Sequence, residues 1–110
     1  MVIIMSKQLK LGTINDLAIL LSLRQELTMA KQNLQPYKRY PQIPDYTKYS
    51  KLVAVAEERY EMAQKELGME IISFDFRTNE VKFTIMNTGE MFVVRKVLNG
   101  LTNKFEWMVM

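Results

Sequence analysis

Two periodicities divide the chain. From Gly12 to Leu67 apolar residues recur at helical spacing, and from Met69 onward they alternate with polar ones. In the first stretch Leu20, Leu23, Leu27, Ala30 and Leu34 follow a 3-4-3-4 spacing that keeps one stripe on one helix face, widened at its start by Ile14, Leu17 and Leu21. Thr13 is expected to cap this helix, with Asp16 completing a capping-box-like pattern. Pro36 should end it, because proline lacks an amide and biases Gln35 away from helical angles.

A second helix is expected from Asp45, a suitable cap after Pro44, to Leu67, where Gly68 supplies the left-handed residue that commonly terminates helices. Tyr46, Tyr49, Val53, Ala56, Tyr60, Ala63 and Leu67 repeat 3-4-3-4-3-4, the seam of two helices crossing at a shallow angle. The spacing predicts an antiparallel hairpin over residues 13–67, with an intermolecular coiled coil as the alternative. Pro36, Pro41 and Pro44 should stiffen an extended connection between the helices. Loops of that length inside a compact domain often carry function.

After Gly68 the alternation predicts a four-stranded antiparallel meander over residues 69–110. The first strand runs from about Met69 to Phe76, with Ile72, Phe74 and Phe76 on one side. Val81, Phe83 and Ile85 alternate in the second, Met91 to Leu98 form the third, and Phe105, Trp107 and Val109 share one side of the fourth. Asn99-Gly100, flanked by Leu98 and Leu101, reads as a two-residue hairpin turn. Met1 to Leu11 reads as an N-terminal arm or extra strand. The expected fold is therefore α+β: a helical hairpin followed by a β-meander, in a single domain over 1–110.

Composition narrows the chemistry. At 110 residues, with 48% hydrophobic and 25% charged residues, the chain is of ordinary globular type. It contains neither cysteine nor histidine. That removes thiolate nucleophiles, the commonest general base near neutral pH and the commonest zinc ligands. No Gly-rich phosphate loop, metal-ligand spacing or nucleophile elbow occurs. The expectation is a protein that is not an enzyme and uses no cofactor or metal. No apolar run approaches the roughly 20 residues of a spanning helix, and the apolar start lacks the basic flank and cleavage site of a signal peptide. A cytoplasmic protein without membrane contact is expected. Charge is uneven: residues 1–52 hold 8 Lys/Arg and 3 Asp/Glu, a balance of +5, whereas residues 53–110 hold 7 and 9, a balance of −2.

Two surfaces stand out. The first is the basic aromatic loop, Tyr37, Lys38, Arg39 and Tyr40, with Lys48 and Lys51 on the following helix. Four of the five tyrosines lie in this region. Aromatic faces stack on bases while Lys and Arg meet phosphates, so the composition suits nucleic acid or a nucleotide. Tyrosine and arginine are equally the residues of protein hot spots. The alternative is that Tyr46 and Tyr49 belong to the helical seam and the cations are solvated. The second is the sheet face opposite Phe74, Phe83, Phe105 and Trp107. It is expected to expose Ile71, Met86, Met91, Val93, Met108 and Met110, with Val97 beside them, more apolar than a solvated sheet face should be. A protein target, a homodimer partner or the N-terminal arm would cover it. A third cluster, Glu57, Glu58, Glu61 and Glu66, reads as a solvated helix face.

These features point to a non-catalytic binding protein that occupies the surface of a partner protein. The profile suits a small accessory protein of a phage or mobile element, such as an inhibitor of a host nuclease or defence system. A nucleic-acid or nucleotide binder using the basic loop and a self-assembling structural subunit are the rival expectations.

Overall fold

The computed structural model describes residues 11–110. Two helices precede four strands: α1 (Leu11–Leu34), a short 3-10 turn (Gln35–Tyr37), α2 (Pro44–Leu67), β1 (Met69–Asp75), β2 (Glu80–Ile85), β3 (Met91–Asn99) and β4 (Lys104–Val109). The α+β order is the expected one. Residues 1–10 of the expected arm lie outside the described residues, and Leu11 is already helical. The described chain forms two compact units, residues 17–67 and residues 11–16 with 68–110.

In the first unit the helices run antiparallel, as their cross-links demonstrate. Arg24 Nη1 donates to Tyr60 Oη at 3.3 Å, Arg59 pairs with Glu26 at 3.3 Å, and Lys31 pairs with Glu57 at 3.7 Å. As one partner moves up in sequence the other moves down. Every seam position of α2 is at least half-buried, and Tyr60 is fully so. Leu17, Leu20 and Leu34 of α1 are buried. Leu52, Val55 and Met62 point outward, on the face of α2 away from the seam.

The helix boundaries depart from expectation at their starts. Thr13 is inside α1 rather than its cap, since the helix already includes Leu11 and Gly12. Pro44, not Asp45, opens α2; its missing amide costs nothing at a first helical position, and Asp45 sits in the first turn, where its charge complements the helix dipole. Gly68 ends α2 at φ 67°, as its place in the sequence predicts.

The sheet is an antiparallel meander in the order β1-β2-β3-β4. Residues directly opposite one another share a face, so the register assigns the faces. One face carries Met69, Ile71, Val81, Phe83 and Val94, all buried. The expected alternation in β1 is interrupted by a bulge between Ile71 and Ser73. Ile71 is thereby paired with Phe83, and Phe74 with Val81, on this same face. Ile72 falls at the irregularity and is exposed.

The last hairpin also differs. The expected Asn99-Gly100 turn would set Arg95 opposite Lys104. Instead Asn99 pairs with Lys104, residues 100–103 form the loop, and the amide of Asn103 donates to the Asn99 carbonyl at 2.8 Å. The left-handed residue is Asn103, at φ 56°, and not Gly100. Asn99 serves the loop through its side chain, accepting from the Leu101 amide at 2.9 Å and donating to Glu106 at 3.2 Å.

Candidate functional site

The connection between the helices is compact rather than extended. Successive turns are closed by the amide of Lys38 to the carbonyl of Gln35, Tyr40 to Tyr37, and Ile43 to Tyr40. Proline is compatible with such turns because its fixed φ is also that of 3-10 geometry. Folding back stacks Tyr37 on Tyr49, with ring centroids 5.3 Å apart and planes 14° from parallel. Lys48 Nζ lies 5.6 Å from the Tyr49 centroid. Tyr37 and Tyr49 therefore spend one ring face each on one another. Tyr40 stays half-exposed, and Lys38, Arg39, Lys48 and Lys51 are exposed. None of these four cations forms an ion pair among the described residues. Glu57 holds Lys31, and no group of three or more metal-ligating side chains forms among the described residues.

On the sheet, four of the six expected outer residues, Met91, Val93, Met108 and Met110, come together, while Ile71 and Met86 lie elsewhere. Ile71 is 6% exposed on the buried face beside Phe83, because the bulge moves it there; it is not part of the outer surface. Met91, Val93 and Val97 of β3 share the other face with Met108 of β4. The amide of Met110 donates to the Val93 carbonyl at 2.7 Å, which brings Met110 alongside. Met91, Met108 and Met110 are 56%, 55% and 61% exposed around half-buried Val93. Met86 is exposed in the turn after β2, its amide held by the Gly68 carbonyl. The Arg95–Glu80 pair, at 3.2 Å, crosses from β3 to β2 on the same face as Met108, with Arg95 between Val93 and Val97 and directly opposite Met108, so one ion pair lies within the patch.

A third feature escapes the sequence pattern. The buried face does not continue apolar to the end of the last hairpin. After Phe92 and Val94 the next position on it is Lys96, opposite Trp107, followed by Leu98 opposite Phe105. Lys96 Nζ lies 5.1 Å from the Phe105 centroid and 5.9 Å from that of Trp107. Leu98 and Phe105 are exposed, and Leu101 at the loop is 99% exposed. The one available signal is Lys96 itself: a charge on the buried side of a strand marks where burial ends.

No protein family, curated protein or solved structure matches the chain.

Proposed function

We propose that this chain is a non-catalytic protein-binding domain that meets its partner with the methionine-lined face of β3 and β4. The observation that carries the reading is the cluster of Met91, Met108 and Met110, all more than half exposed around Val93 on one face. Unbranched thioether side chains adapt to an apolar partner surface, and the Arg95–Glu80 pair beside Met108 offers a charged group within the same face. An inhibitor of a host nuclease or defence system is the form of this function that the sequence suggests.

The test is capture of partners from lysate on immobilised protein, nuclease-treated and at high salt, with Met91→Asp/Met108→Asp as the comparison. A protein retained by the wild type and lost from the variant supports the reading; equal retention by both contradicts it.

A second reading rests on its own observation, the exposed Lys38, Arg39, Lys48 and Lys51, none of them in an ion pair among the described residues, together with half-exposed Tyr40. A nucleic-acid ligand held there would be released by salt and by Lys38→Glu/Arg39→Glu.

A further inference from the structure

The two edges of the sheet among the described residues, β1 and β4, differ in kind. β1 carries the bulge and the carboxylates Glu70 and Asp75, features that discourage strand addition. β4 also carries charges, Lys104 and Glu106, but it has no bulge: it pairs with β3 in unbroken register from Val94↔Val109 to Asn99↔Lys104. The bond from the Met110 amide to the Val93 carbonyl marks a narrow pair. By the alternation of antiparallel ladders, Arg95–Met108, Val97–Glu106 and Asn99–Lys104 are narrow pairs too. The amides and carbonyls of Phe105, Trp107 and Val109 therefore point away from β3, along the open edge.

We propose that β4 pairs antiparallel with β4 of a second copy about a two-fold axis at Trp107, joining two four-stranded sheets into one. An axis perpendicular to the sheet admits only registers centred on a single residue, and these can be compared. Centred on Trp107, all three outward residues find partners: Trp107 meets its counterpart, and Phe105 meets Val109 in each direction. Centred on Phe105, Val109 is left over; centred on Met108, Phe105 is left over. Centred on Glu106, two carboxylates stand directly opposite, which is destabilising. In the Trp107 register the other face sets Glu106 against Met108 and Lys104 against Met110, with no like charges opposed. Addition of β4 to a second copy's β1 would leave a free edge at both ends and grow without closing, and the β1 bulge opposes it. The Trp107 pairing closes at two copies. It leaves the methionine face open and does not depend on the reading of that face as a binding surface.

The chain lacks cysteine, so single replacements report the register directly. Narrow antiparallel pairs hold their Cα atoms about 5.5 Å apart, within disulfide reach. Under mild oxidation Trp107→Cys is expected to give a covalent dimer, while Phe105→Cys, Glu106→Cys and Met108→Cys stay uncrosslinked. Fastest crosslinking at any of those three overturns the register. Light scattering on the unmodified protein should give twice the 12.9 kDa chain mass. Val109→Pro removes only an outward amide, which an edge strand tolerates, and should return the mass to one chain with an unchanged circular dichroism spectrum. A wild-type mass of one chain at every concentration overturns the proposal. Single-chain mass with slow hydrogen exchange at the Phe105, Trp107 and Val109 amides would do so while assigning the edge to another segment of the same chain.

Discussion

Ile71 and Phe83 stand directly opposite one another on β1 and β2, and both are buried. The pair exists because the bulge after Ile71 puts this residue, rather than Ile72, on the buried face. Ile71→Ala should therefore cost about 2–5 kcal/mol, the range for deleting a buried isoleucine side chain. Ile72→Ala, at an exposed position, should cost less than about 1 kcal/mol. Urea unfolding of the two variants checks this; equal losses would contradict the bulge.

The turn chemistry separates two glycines. Gly68 holds φ 67°, so Gly68→Ala should destabilise by about 1–2 kcal/mol. Gly100 is not left-handed, and Gly100→Ala should change stability by less than about 0.5 kcal/mol. Asn103→Gly should be neutral or stabilising, since Asn103 is the residue at positive φ in that loop. A large loss at Gly100 in thermal melts would instead favour the two-residue turn.

Between the helices, Tyr60→Phe removes the hydroxyl that accepts from Arg24 and keeps the buried ring. The expected cost is about 0.5–1.5 kcal/mol. The exposed Arg59–Glu26 and Lys31–Glu57 pairs should each contribute less than about 1 kcal/mol and fade with salt. Denaturation of Tyr60→Phe, Glu26→Gln and Glu57→Gln at low and high salt distinguishes the two kinds of contact: the Tyr60 loss persists in salt.

The regular parts of this fold are legible because one physical rule governs each. The α2 seam from Tyr46 to Leu67 repeats without a break, Gly68 can adopt the angles a helix end requires, and Val81, Phe83 and Ile85 alternate cleanly. The departures arise where interactions distant in sequence decide. Nothing near Ile71 announces a bulge; only pairing with β2 reveals that one residue is in excess. Asn99-Gly100 has the local preference for a tight turn, but the register it imposes opposes Arg95 to Lys104, and the longer loop avoids this. For the candidate surfaces, residue type identified Met91, Val93, Met108 and Met110, while the facing of Ile71 depended on the bulge. The stacking of Tyr37 on Tyr49 depended on the loop turning back, which its prolines permit but do not specify.

The most direct test of the methionine face uses the protein's own methionines. In methyl-labelled protein, Met91, Met108 and Met110 lie on the proposed surface, while Met29 and Met62 are comparably exposed on the helices and serve as internal controls. On titration with the captured partner, the account predicts that the first three methyl signals shift or broaden while Met29 and Met62 stay fixed. Movement of Met29 and Met62 with the sheet methionines unchanged, or equal movement of all five, would contradict it.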